Sequence, residues 1–171
     1  MKEIEVKFRV ADLGAPRKKL KALGWRCVWK GNEENYFFGT PSRVFRRAGS
    51  NLRLRRWNGH SVSITFKTKP KTAGKRYKVR NEYQIMADSL PAARSLLIAL
   101  GYTEIFRYKK YREHWKLRGA SIELDRVMGV LFVEVEGSRK IIEKYAHLLD
   151  LDWARSTTKG YLTLLREMKS R

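Results

Sequence analysis

The sequence predicts an α+β protein whose sheet is antiparallel, closed into a barrel and flanked by helices. Three observations carry that expectation. The first is alternation at the N-terminus. Met-Lys-Glu-Ile-Glu-Val-Lys sets Glu3, Glu5 and Lys7 at two-residue spacing, with Ile4, Val6 and Phe8 between and after them. A strand points successive side chains to opposite faces, so one face is apolar and the other carries two carboxylates and an ammonium. Two acids on one strand face lie ~7 Å apart along the chain, close enough to share a divalent cation. The second is recurrence. Arg53 and Arg55 oppose Leu52 and Leu54; Thr65, Lys67 and Lys69 oppose Ile64 and Phe66; Glu82 and Gln84 oppose Tyr83 and Ile85. Lys110 shares a face with Arg112, Glu123 and Asp125 oppose Ile122 and Leu124, and Glu134 and Glu136 oppose Val133 and Val135. A merely wet sheet face would use Thr, Ser, Gln and scattered charge. A closed barrel with a charged lumen, its apolar face turned outward under helices, accommodates both faces of every strand. The third is a two-part repetition of strand, helix, long strand and further strands.

In chain order, residues 2–10 form the first strand. Asp12 can cap a helix that ends near Gly24, with Pro16 in its first turn. Residues 25–38 give a long strand, followed by a loop at Thr40-Pro41-Ser42. Residues 50–57 and 61–69 pair as a hairpin around Asn58-Gly59, the dipeptide that a type I′ turn favours. Pro70 to Lys75 reads as a basic loop at a barrel mouth, and residues 78–87 return as a strand. Ser89 can cap a helix over 90–100 that ends at Gly101. Strands near 102–117 and 120–136 break around Leu117-Arg118-Gly119. Ser138 caps a helix to about Leu149, and residues 158–169 form a last helix with Tyr161, Leu162 and Leu165 on one face.

The chain of 171 residues suits a single domain spanning 1–171. Its one cysteine, Cys27, excludes an internal disulfide and suits a reducing cytoplasm. Between Trp25 and Trp29 it reads as a small buried residue. No apolar run approaches the ~18 residues of a membrane span, and a strand that starts at once leaves no room for a signal peptide. The net charge of +21 concentrates anionic ligands and could hold nucleic acid without specificity. Its clusters Arg17-Lys18-Lys19, Arg43 to Arg47 and Lys69 to Arg80 read as surface. His60, His114 and His147 lack the spacing of a zinc site, and no phosphate-binding glycine loop or nucleophile elbow is present.

The ordered motifs resemble the CYTH superfamily, the triphosphate tunnel metalloenzymes. Glu3-x-Glu5-x-Lys7 is followed in family order by Leu52-Arg53-Leu54-Arg55, Phe66-Lys67, Arg80-Asn81-Glu82 and Lys110-x-Arg112-Glu113. Glu123-Leu124-Asp125, Phe132-Val133-Glu134-Val135-Glu136 and Lys159-Gly160-Tyr161 complete the set, which spans essentially the whole chain. Two departures stand out. Phe38 follows Tyr36-Phe37 where many relatives carry Asp, and Gly129-Val130-Leu131 replaces the usual Gly-Leu-Gly.

The resemblance implies a tunnel of eight antiparallel strands that binds a triphosphate with Mg²⁺ or Mn²⁺. It implies Arg53, Arg55, Lys67, Glu82, Lys110, Arg112 and Lys159 as substrate-binding residues. It implies Glu3, Glu5, Asp125, Glu134 and Glu136 as metal ligands, and Lys7, Lys110, Arg112 and Asp125 as catalytic. Hard carboxylate oxygens suit either metal, and Arg forks suit paired phosphate oxygens where Lys supplies a point charge. The compact length, Arg80-Asn81-Glu82 and Lys110-Tyr111-Arg112-Glu113 resemble the short class IV adenylate cyclases, which convert ATP to cyclic AMP and pyrophosphate. A triphosphatase acting on thiamine triphosphate or inorganic triphosphate needs the same lumen. A non-catalytic polyanion- or RNA-binding barrel is the third reading. Monomer and homodimer are both open.

Overall fold

A computed structural model describes residues 2–40, 50–68, 76–117 and 119–169. The elements run β1 (Lys2–Val10), α1 (Gly14–Ala22), β2 (Arg26–Gly39), β3 (Asn51–Trp57), β4 (Ser61–Thr68), β5 (Lys78–Ala87), α2 (Leu90–Ala99) and β6 (Thr103–Leu117). Then come β7 (Ala120–Val127), β8 (Val130–Glu136), α3 (Arg139–Leu148), a 3₁₀ turn at Trp153–Arg155, β9 (Ser156–Thr157) and α4 (Tyr161–Lys169). The sheet order is β5-β4-β3-β2-β6-β7-β8-β1-β9, and β5 also pairs with β1. That second pairing closes eight strands into an antiparallel barrel, the predicted fold class, with β9 added on β1. The basic loop expected at Pro70 to Lys75, the cluster Arg43 to Arg47, and Lys69 lie outside the described residues.

Local chemistry accounts for most boundaries. Asn58 and Gly59 have φ of 53° and 72°, the left-handed pair that a type I′ hairpin turn needs. Met128 and Gly129 repeat it at 47° and 77°, so the stretch 120–136 is a hairpin, β7 and β8. A Met in this region is uncommon, and nothing in its side chain announces a turn. Ser89 Oγ accepts from the Ala92 N–H at 3.3 Å, and Ser138 Oγ from the Ile141 N–H at 3.3 Å, as expected of N-caps. Asp12 Oδ2 accepts from the Ala15 N–H at 2.8 Å. The last helix begins at Tyr161 rather than 158, because Ser156 and Thr157 extend alongside Phe8 and Lys7 as β9.

By contact density the described residues form two compact units. Of the described residues, one comprises 2–3, 30–40, 50–68 and 79–112; the other comprises 4–29, 76–78, 113–117 and 119–169. In the first, Phe38, Leu52, Leu54, Val62, Ala93 and Leu97 form a buried cluster as α2 packs on β3. In the second, Ile122, Leu124, Val133 and Val135 are fully buried, and α3, with Ile142 and Ala146 inward, packs on β8. Phe8 meets Trp153 edge-on at 5.1 Å, and Trp25 meets Tyr145 at 4.8 Å.

Two expectations are corrected. Cys27 is exposed, not buried. The β2–β3 ladder runs over Glu33–Phe38, so Cys27 sits in the part of β2 beyond it, beside exposed Arg26 and Val28. The middle of the apolar face of β5 is not covered either: Tyr83 and Ile85 are 62% and 64% exposed. Among the described residues no helix is long and apolar enough to cross a membrane.

The packing predicts a contrast between two leucines. Leu124→Ala, at a fully buried site, should cost about 2–5 kcal/mol of unfolding free energy. Leu96→Ala, at an exposed site on α2, should stay within about 0.5 kcal/mol. Urea denaturation of both variants checks it, and equal losses would contradict the assigned core.

Candidate functional site

In the first unit the polar faces of β2, β3 and β4 are joined row by row. Arg55 stands between Asn35 and Ser63, Arg53 between Phe37 and Thr65, and Lys67 between Asn51 and Glu82. Shared parity brings these side chains to one face. Lys67 is buried, with Nζ 2.7 and 2.8 Å from the two Glu3 oxygens and 2.6 Å from Glu82 Oε2. Burial pushes the Glu82 carboxyl up, but Lys67 and more distantly Arg53 and Arg55 outweigh it, so Glu82 ionises below its usual range.

The centre of the basic group is a residue the sequence reading passed over. Glu33, only 3% exposed, lies 3.1 Å from Arg55 Nη1, 3.4 Å from Lys110 Nζ and 3.9 Å from Arg112 Nε. Burial would raise its pKa, yet Arg55, Lys110, Arg112 and Arg53 together hold it far below the carboxylate range. Asn35 Oδ1 accepts from Arg55 Nε at 2.9 Å, fixing the guanidinium at a second point. Arg53 reaches Thr65 Oγ1 at 3.5 Å, and burial and then Arg55 lower its pKa. Glu33 was hidden because Glu34 follows it, which erases the alternation. Glu34 turns to the other face, where Arg56 and Lys109 approach within 2.7 Å and Tyr36 donates at 2.9 Å. The one available signal was the Arg55-Arg56 pair on β3: Arg56 stands opposite Glu34, and Arg55, opposite Asn35, reaches Glu33.

The second unit concentrates carboxylates. Lys7 is paired in register with Glu134, and Glu5 with Glu136. The buried Lys7 ammonium lies 3.0 Å from Glu5 and 3.2 Å from Glu134, so both acids share its face. Burial pulls its pKa down, but Glu134 and Glu5 outweigh that and hold it above the usual lysine range. Lys78 also reaches Glu5. The Lys7 ammonium stands 4.9 Å from the centroid of the Tyr161 ring, whose hydroxyl donates to Asp125 Oδ2 at 2.7 Å. Asp125 is fully buried. Glu136 accepts from Ser121 Oγ at 3.3 Å. Glu123 pairs with His114 at 2.9 Å, and the Arg17 fork grips Glu113. Lys159 sits apart, its side chain 51% exposed and held by Glu167 at 2.8 Å.

Metal binding can be tested against this donor set. Glu5, Glu134 and Asp125 offer only carboxylate oxygens, the hard donors that Mg²⁺ and Mn²⁺ take. Lys7 between Glu5 and Glu134 shows that this pair accommodates a cation. Among the described residues no three acidic, His or Cys side chains converge as a ready-made metal cage. The donor chemistry fits, with two buried acids already set around one cation.

Comparison with known proteins agrees with this geometry. The CYTH domain family model matches residues 1–164. A Methanocaldococcus jannaschii protein named "Putative adenylate cyclase MJ0240" is 30% identical over 151 residues, covering 88% of this chain and 85% of that protein. The PH1012 protein of Pyrococcus horikoshii is 27% identical with a TM-score of 0.80, covering 95% of this chain and 98% of its own. A Vibrio parahaemolyticus structure superposes with a TM-score of 0.82 at 22% identity over 96% of this chain and 97% of its own, a likeness of fold.

The depressed Glu33 carboxyl gives a pH prediction. A group whose folded pKa is lowered contributes stability above its unfolded value, ordinarily 4.5, and loses it as pH falls toward the folded value. The stability difference between wild type and Glu33→Gln should therefore be flat from pH 8 to about 5 and shrink below about 4. Urea midpoints across that range measure it. A difference that grows on acidification would contradict the ionised, cation-held state of Glu33.

Proposed function

We propose that this chain, which belongs to the CYTH domain family, is a metal-dependent enzyme of triphosphate chemistry, with ATP converted to cyclic AMP and pyrophosphate. The observation that carries the reading is the presence, in one chain, of two buried polar faces of opposite character. One sets Arg55, Lys110, Arg112 and, at longer range, Arg53 around the carboxylate of Glu33. The other sets Glu5 and Glu134 around the ammonium of Lys7, with Lys78 also on Glu5. Polyphosphate needs the first kind of surface and a divalent cation needs the second. The CYTH match and the name of the M. jannaschii relative support the choice of reaction.

The roles follow from charge. Arg53 and Arg55 offer planar forks to paired phosphate oxygens, and Lys67, braced by Glu3 and Glu82, offers a point charge. Lys110 and Arg112 supply positive charge to oxygens that become more negative in the transition state. Glu5 and Glu134, with Glu3, Asp125 and Glu136 in support, are the residues that would hold Mg²⁺ or Mn²⁺. When bound, the metal neutralises phosphate charge and favours the leaving group. Lys7, paired with Glu5 and Glu134, which hold its pKa above the usual lysine range, would serve as a positive charge and not as a general base. Tyr161 holds the Asp125 carboxylate in place. Lys159, on the exposed loop before α4, would meet the outer end of the substrate. In the cyclase reaction the ribose 3′-hydroxyl attacks the α-phosphorus and pyrophosphate leaves. Proximity then decides between that hydroxyl and water.

Liquid chromatography of products from ATP, thiamine triphosphate and inorganic triphosphate, each with Mg²⁺ and Mn²⁺, tests the reaction. Cyclic AMP and pyrophosphate from ATP are expected. ADP with orthophosphate and no cyclic nucleotide would move the chain to the triphosphatases. Metal-independent RNA binding without turnover would make it a binding barrel.

Substitutions divide the roles. Glu134→Gln should lower kcat at least ~10²-fold with the fold kept, read by circular dichroism and steady-state rates. Arg53→Ala and Arg55→Ala should mainly raise KM, whereas Lys110→Ala and Arg112→Ala should lower kcat. Unchanged kcat in the second pair would remove them from the chemistry.

A further inference from the structure

The buried carboxylate of Glu33 has no place in the roles above, and its position is specific. Arg55, Lys110, Arg112 and Arg53 together set its charge, with Glu82 a second acid that Arg53 and Arg55 also influence. We infer that Glu33 is a built-in counter-anion of the phosphate-binding cations: it holds them in place while the site is empty and weakens their grip on polyanions, so that product can leave. This deepens the proposed function and rests on it. A carboxylate buried to 3% exposure with Arg55 at 3.1 Å and Lys110 at 3.4 Å is a fixed part of the site. The surroundings are biased toward a further acceptor. The Arg53 Nε–H and the Asn35 Nδ2 group are buried donors with no hydrogen-bond partner among the described residues, and Asn35 is adjacent to Arg55 across the ladder. An arriving phosphate oxygen would satisfy such donors, but it must approach within a few ångströms of Glu33.

Magnitudes decide the direction. Two like unit charges ~6 Å apart at an effective dielectric of ~20 correspond to about a hundredfold in Kd. Losing one orienting hydrogen bond corresponds to about tenfold or less. Repulsion therefore outweighs the loss of orientation, and removing the Glu33 charge tightens binding. A role confined to structure would not tighten it.

The test is calorimetric binding of inorganic pyrophosphate without metal, at low salt, to wild type, Glu33→Gln and Asn35→Asp. Both substitutions are nearly isosteric; one removes a carboxylate beside Arg55 and the other adds one. Glu33→Gln should bind at least about tenfold tighter, Asn35→Asp about tenfold weaker, and both gaps should narrow as salt rises. Steady-state turnover of Glu33→Gln should show KM and kcat falling together, as slower product release requires. Unchanged or weaker pyrophosphate binding by folded Glu33→Gln overturns the inference while leaving triphosphate binding intact. If Glu33→Gln does not fold, Asn35→Asp decides alone, and unchanged or tighter binding overturns it. No pyrophosphate binding by wild type overturns both this inference and the proposed function.

Discussion

Charge burial is the constraint on which the rest depends. An ion taken out of water costs several kcal/mol even after the protein relaxes, so a buried ionisable group persists only with an opposite partner. Here Lys7, Lys67, Lys110, Glu3, Glu5, Glu33, Asp125 and Glu134 are all buried. Lys67 is held by Glu3 and Glu82, Lys7 by Glu5 and Glu134, and Glu33 by Arg55, Lys110 and Arg112. Hydrophobic replacements of similar volume would often be as stable or more so. Such a network is therefore weak evidence for stability and stronger evidence for a ligand that the charges await.

The strands that carry these charges accommodate this best where both faces are buried, as on β7. On β7, Ile122 and Leu124 pack apolar contacts while Glu123 and Asp125 alternate with them, and all four are buried. A one-residue slip in register would put every carboxylate among the aliphatic side chains. The hydrogen-bond ladder, the helix packing and the charge pairs thus enforce the same register. The two units differ in the sign of what they gather. Cations outnumber carboxylates around Glu33, and two carboxylates flank Lys7, one of them also reached by Lys78.

Much of this was legible in the residues because a strand has a strict period of two. Glu3, Glu5 and Lys7, Arg53 and Arg55, and Glu134 and Glu136 announced their shared faces by spacing alone. Ser89, Ser138 and Asn58-Gly59 announced two helix starts and a turn through side-chain chemistry. What stayed hidden lacked periodicity or depended on tertiary coverage. Glu33 and Glu34 are chemically alike but face opposite ways. Met128 adopts a left-handed turn that Met does not favour. Cys27 and Tyr83 sit on strand segments that lack a covering layer, and no local pattern distinguishes a covered segment from an uncovered one. Tyr161 belonged to a closing motif, but its hydrogen bond to Asp125 joins residues 36 apart in the chain.

The central claim is that the buried cations of the first unit bind phosphate and the buried acids of the second bind a divalent metal. Crystals grown with α,β-methylene-ATP and Mn²⁺ test it most directly, because manganese is located by its anomalous scattering. The manganese should lie within ~2.2 Å of carboxylate oxygens of Glu5 or Glu134, with phosphate oxygens on Arg53, Arg55, Lys110 or Arg112. A nucleotide bound on the exposed basic surface, with manganese remote from both acids, would contradict it.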